Sequence, residues 1–144
     1  MSEHYWGIDL GGTKIEGVVL ASTDEPSPLL RLRVPTEAER GYEHVIGQFR
    51  QLVSEMEAEM GTRPVRIGIC TPGVIDPHTN NLKNCNATCL NGQPLARDLT
   101  AALAMEVHTS NDANCFALAE ARLGAAHGAE TVFGIILGSG VGGG

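Results

Sequence analysis

The chain has 144 residues, 42% of them hydrophobic and 19% charged, which is enough apolar material to bury a core and too little charge for a disordered chain. Its formal net charge of −7 excludes the basic footprint that nucleic acid or an anionic membrane surface requires, but leaves room for a small phosphorylated ligand held by backbone N–H groups. Only 4% of residues are aromatic, so the core has to be aliphatic, and the 18 glycines gather at a few points without a period.

Residues 5–9 read as a strand stopped by Gly11-Gly12, residues 15–20 as a second, and residues 29–34 as a third after a turn-rich stretch containing Pro26 and Pro28. Short connections between them predict an antiparallel meander. Tyr42, Val45, Ile46, Phe49, Leu52, Val53, Met56 and Met60 then recur at steps of three and four, which predicts a helix, with Gly61 as its C-terminal cap. Residues 65–70 form a buried strand closed by Thr71-Pro72-Gly73, and a polar, asparagine-rich loop covers 76–92. Residues 94–103 are helical with Pro94 in the first turn, 107–110 a short strand, 113–123 an alanine-rich helix and 131–137 a last apolar strand. A meander followed by alternating helices and strands is an α/β fold with a mixed sheet covered by helices.

Cys70, Cys85, Cys89 and Cys115 follow no secretory signal, since the chain starts Met1-Ser2-Glu3-His4, and they read as reduced cytosolic thiols. The C-x3-C spacing of Cys85 and Cys89 has no second ligand pair at zinc-site distance. No apolar run reaches the length of a membrane span.

Four segments carry the chemistry. Gly7-Ile8-Asp9-Leu10-Gly11-Gly12-Thr13-Lys14 lacks the P-loop spacing and leads into a strand, so its glycines sit in a hairpin. There they let successive N–H groups converge on an anion, with Thr13 and Lys14 adding a hydroxyl and a charge and Asp9 suited to hydrated Mg²⁺; a plain hairpin turn is the competing reading. Thr109-Ser110-Asn111-Asp112-Ala113-Asn114 lies at a strand-to-helix junction. One of these residues caps the helix, and a carboxylate kept ionised by the helix dipole suits a base that takes a proton from a hydroxyl. Residues 138–144 hold five glycines and Ser139, either a second phosphate cradle or a flexible linker. The fourth is Thr71-Pro72-Gly73 with Lys83-Asn84-Cys85-Asn86, whose amides suit hydroxyl recognition, unless the loop is merely solvated.

Together these segments resemble the ROK family of bacterial sugar kinases, within the actin-like ATPase (ribonuclease H-like) superfamily, from Gly7 to the end of the chain but over only the first half of a family member. The resemblance implies a general base at Asp112, sugar contacts from Gly73, Asn86, Asn111 and Asp112, and ATP phosphates held by Gly11, Gly12, Thr13 and Lys14 on one side and by Gly138, Ser139 and Gly140 on the other. Asp9 would position Mg²⁺ through water. Ser139 stands where many family members carry Thr, which keeps the hydroxyl. The implied reaction is ATP-dependent phosphorylation of a hexose hydroxyl in a cytoplasmic homodimer. The loop Leu90-Asn91-Gly92-Gln93-Pro94 looks more like the fructokinase and mannokinase branch than like kinases of N-acetylated amino sugars, the alternative substrate class. Residues 1–130 would be the N-terminal domain and 131–144 the first strand and phosphate loop of a second, the chain being a piece cut from a longer one and little active alone. Its last strand would then be an edge open to self-pairing. The family's Cys-rich zinc motif would lie beyond this chain.

Two readings of other classes stay open. A sugar-sensing repressor of the same family would need a helix-turn-helix segment before the first phosphate motif, and only six residues precede Gly7. A non-catalytic binding module would have no use for both Asp9 and Asp112.

Overall fold

The computed structural model describes residues 4–25, 27–138 and 140–144. The start Met1-Ser2-Glu3, Pro26 of the turn-rich stretch and Ser139 of the second glycine turn lie outside the described residues. The meander consists of β1 (Tyr5–Leu10), β2 (Lys14–Leu20) and β3 (Pro28–Pro35), paired antiparallel in that order. Strands β4 (Arg66–Thr71) and β7 (Glu106–Asn111) extend it on the other side of β1, both parallel to it, so the sheet runs β3-β2-β1-β4-β7.

Period-two alternation divides the sheet into two faces. Trp6, Ile8, Leu10, Ile15, Val19, Val34, Ile67 and Ile69 are buried on one of them. Helix α1 (Tyr42–Met60) covers that face with Val45, Ile46, Phe49, Leu52, Val53 and Met56, and α2 (Leu95–Leu103) packs beside it through Leu95, Leu99 and Leu103. Each such fully buried side chain contributes about 1.5–3 kcal/mol relative to exposure. Helix α1 ends at Gly61, whose φ of 64° directs its N–H back to the Glu57 carbonyl, as expected of a left-handed cap.

The opposite face carries Gly7, Asp9, Glu16, Val18, Gly68, Cys70, His108 and Ser110. Among the described residues it is met by α3 (Asp112–Leu123), which touches β4 and β7, and a groove of ≈ 380 Å³ runs along it. The sheet is thus covered by helices on one face and in part on the other. The four cysteines are free thiols. No helix among the described residues is long and apolar enough to cross a membrane.

The sequence reading and the structure differ at several boundaries. Val65 is 77% exposed and precedes β4, and Pro94 is the N-cap of α2, one position outside it. The polar loop contains β6 (Leu82–Lys83), paired with β5 (Val74–Ile75), and a 3₁₀ turn at Thr88–Leu90. The last strand is shorter than its apolar run. Only β8 (Ile135–Leu137) is regular, and it pairs with β9 (Val141–Gly143) as a separate hairpin rather than standing as an open edge. Beyond it only Gly134 finds a partner, exchanging both backbone hydrogen bonds with Gly144 at 2.7 and 3.1 Å. Among the described residues no strand lies opposite 131–133, and a strand exists only where its backbone groups are paired.

Candidate active site

Because β1, β4 and β7 are parallel, their carboxyl ends emerge at the same edge, the end of an open α/β sheet where ligands gather. Register aligns Asp9 with Cys70 and Cys70 with Ser110, and Thr71 with Asn111. At about 4.8 Å per strand, Asp9 lies about 10 Å across the sheet from Ser110, and Asp112 follows two residues later as the first residue of α3. A larger depression of ≈ 770 Å³ lies at the amino ends of the strands, around Tyr5, Arg63 and His108. No carboxylate lines it, whereas Asp9 and Asp112 both lie toward the carboxyl ends.

The first glycine turn is held from behind. The Gly11 N–H donates to the Lys14 carbonyl at 2.9 Å, and a Cβ on Gly11 would sit 2.9 Å from that same oxygen. Fully buried Thr36, just past β3, brackets the turn twice. Its N–H donates to the Thr13 carbonyl at 3.0 Å and its hydroxyl to the Gly11 carbonyl at 2.8 Å. The Lys14 ammonium lies 4.0 Å from Glu16, an exposed and weak pairing that leaves it free to swing toward an anion. Thr36→Val keeps the shape but strands the Gly11 carbonyl. It is expected to cost about 1–3 kcal/mol, read from the midpoint of urea unfolding.

Asp9 opens to solvent on one side, yet its carboxyl is pushed above its ordinary value of 3.8 by burial first, then by the charges of Asp112 and Glu16, with Lys14 opposing. Asp112 is therefore close enough for its charge to be felt beside the first turn. A carboxyl whose folded value is raised holds its proton more tightly folded than unfolded, so its contribution to stability falls as pH climbs above 3.8. Asp9→Asn is expected to melt higher than the parent at pH 7, with the gain fading as pH falls to 3.8 and below. Calorimetry across a pH series checks the sign. Burial, the Cys115 thiol and the two aspartates likewise raise the Cys70 thiol, so Cys70 is a poor nucleophile.

At the α3 terminus, Asn111 is the N-cap. Its side-chain oxygen accepts from the Ala113 and Asn114 N–H groups at 3.0 and 3.3 Å, and its amide donates to the Gly73 carbonyl at 2.5 Å. One amide hydrogen remains for a ligand. Asp112 Oδ1 accepts from the Ala113 N–H at 2.8 Å, and no hydrogen bond to its other oxygen is made among the described residues. Gly73 has φ +71°, and a Cβ there would lie 2.3 Å from the Lys83 carbonyl and 2.8 Å from Cys85 Sγ, so only glycine fits.

The β8–β9 hairpin lies across this terminus. A Cβ on Gly142 would approach Asp112 Oδ1 to 4.0 Å, and one on Gly140 would fall 2.8 Å from the Asn86 amide. The Gly138 N–H donates to the Gly140 carbonyl at 2.9 Å, closing the turn. Gly73, Asn86, Asn111, Asp112 and Gly140 therefore converge on one region, with Asp9 and the first turn at its flank. Sequence reasoning missed Thr36 and named Cys85 and Asn91 only as members of their loops, not as the residues that fix them. A single threonine after a strand or an asparagine in a polar loop carries no periodic signal, and their partners lie elsewhere in the chain.

Residues 5–144 match the ROK family. The chain is 37% identical over 140 residues to the N-acetyl-D-glucosamine kinase of Aliivibrio salmonicida, covering 97% of this chain and 45% of that protein, so it spans about half of that relative's length. Among solved structures, the inorganic polyphosphate/ATP-glucomannokinase from Arthrobacter sp. strain KM superposes with TM-score 0.83 at 32% identity, covering 98% of this chain and 57% of that one. The ROK family glucokinase from Streptomyces griseus, solved with glucose and AMPPNP, superposes with TM-score 0.84 at 27% identity over 97% and 43%. The expected actin-like ATPase fold is borne out by these superpositions. The name of the Aliivibrio salmonicida relative is that of a kinase of an N-acetylated amino sugar, not of the fructokinase and mannokinase branch that the loop Leu90-Asn91-Gly92-Gln93-Pro94 suggested. With the match running over almost every residue, the chain belongs to the ROK family.

Proposed function

We propose that the protein containing this chain phosphorylates a hydroxyl of an N-acetylated amino sugar, N-acetylglucosamine first, at the expense of ATP. What carries the reading is the position of Asp112, at the dipole-positive start of α3, next to Asn111, whose amide reaches Gly73, and facing the β8–β9 hairpin at Gly142. Similarity to an N-acetyl-D-glucosamine kinase supports the choice of sugar.

Asp112 accepts the hydroxyl proton through the oxygen that Ala113 leaves free, as the sugar oxygen attacks the γ-phosphorus. The O–H bond breaks and a new P–O bond forms, while the bond to the β-phosphate oxygen breaks and ADP departs. Asn111 and Asn86 orient the sugar; the Gly11 and Gly138 N–H groups are spent inside their own turns, so the backbone N–H groups of Gly12 and Thr13 and of Gly140 are the ones that face the phosphates. The residues fit Mg²⁺: Asp9 is an oxygen donor crowded by the charges of Asp112 and Glu16, which a hard divalent cation relieves. When bound, Mg²⁺ neutralises charge on the phosphates. The separate β8–β9 hairpin supports a domain boundary near residue 130.

The test is ADP release by the whole protein with N-acetylglucosamine, N-acetylmannosamine, glucose, mannose and fructose. A preference for an N-acetylated sugar is the expected result. Preference for glucose or mannose would favour the second reading, which the glucomannokinase and glucokinase similarities support.

A further inference from the structure

The loop that carries Asn86 is held in a conformation it would not adopt alone. Asn84 has φ 61°, the left-handed region, and Cys85 after it is buried. Asn91, just past the 3₁₀ turn Thr88–Leu90, pairs with both backbone groups of Cys85. Its side-chain oxygen accepts from the Cys85 N–H at 2.8 Å and its amide donates to the Cys85 carbonyl at 3.1 Å. A carboxamide gives and takes through two separate atoms at neutral pH, which an alanine or leucine side chain cannot do.

The clamp continues into the site. Cys85 Sγ donates to the Pro72 carbonyl at 3.1 Å and fills the space beside Gly73. The Gly73 carbonyl receives the Asn111 amide, and Asn111 caps the helix that begins with Asp112. An unbroken run of contacts leads from Asn91 through Cys85, Pro72-Gly73 and Asn111 to Asp112. Asn91 itself is exposed and adds nothing to the apolar core.

We propose that Asn91 is a positioning residue for the sugar, its carboxamide holding Asn86 and the Gly73–Asn111 contact where sugar hydroxyls meet them. This rests on the sugar-kinase reading. The first phosphate turn hangs on Thr36, which Asn91 does not touch, and the second meets the loop only where Gly140 approaches the Asn86 amide, so the sugar responds more strongly than ATP.

The experiment compares wild type, Asn91→Ala and the near-isosteric Asn91→Leu in the whole protein, with KM for N-acetylglucosamine and for ATP, kcat, and amide hydrogen exchange over residues 84–86. Both variants are expected to raise the sugar KM about 10-fold while the ATP KM stays within about 2-fold, and to speed exchange at the Cys85 amide. A sugar KM unchanged in both variants overturns the proposal, as does an equal rise for sugar and ATP, which signals general loosening. If wild type turns over none of the five sugars above, the kinase reading fails and the proposal falls with it, an outcome distinct from active wild type and unaltered variants.

Discussion

Asp112→Asn in the whole protein is expected to lower kcat about 10²–10⁴-fold while leaving sugar affinity nearly unchanged. Asparagine has the same shape, and its side-chain oxygen can still accept from the Ala113 N–H, so the start of α3 keeps its geometry. What is lost is the capacity to take a proton. Removing a negative charge from the first turn of a helix costs about 0.3–1 kcal/mol, too little to unfold the domain. Turnover is read by coupled ADP release, and binding by calorimetry with sugar alone. Near-normal turnover would remove Asp112 from its role, and loss of sugar binding in parallel with turnover would make it a ligand rather than a base.

Gly73→Ala is expected to be the most damaging single methyl group in the region, at about 2–5 kcal/mol, from a left-handed backbone and an overpacked site together. The φ of +71° disfavours any Cβ, and the nearest obstacle, 2.3 Å away, is the backbone oxygen of Lys83, which cannot turn aside as a flexible side chain would. The Cys85 thiol behind it is buried and engaged with Pro72. Denaturant unfolding reads the loss. The same variant should weaken sugar binding, because the Gly73 carbonyl that receives Asn111 shifts with the loop. A loss under about 1 kcal/mol would mean that the loop relaxes freely and that glycine is not required there.

The strand meander, α1 with its Gly61 cap and the parallel strands β4 and β7 were legible because local pattern decides them. Alternation gives a half-buried strand, a three-and-four spacing gives one apolar helix face, and Gly-Gly stops a strand. The segment around Asp112 and both glycine turns were legible as candidates for the same reason, their residue types being unusual for plain loops. Their convergence was not. Asp9 and Asp112 are about a hundred residues apart, and only the parallel pairing of β1, β4 and β7 brings their ends to one edge.

By itself, then, the amino-acid order determined the elements, the apolar faces and the resemblance that named the residues to watch, since each of these depends on neighbours in the chain. The tertiary structure alone decided that the terminal strand closes on Val141–Gly143, that Asn111 spends its side chain on α3 and Gly73, and that Thr36 and Asn91 hold the loops. Those outcomes are hydrogen bonds between distant backbone and side-chain groups. A buried or bracketed polar group takes whichever partner the fold brings within about 3 Å, and no periodicity records which one that will be.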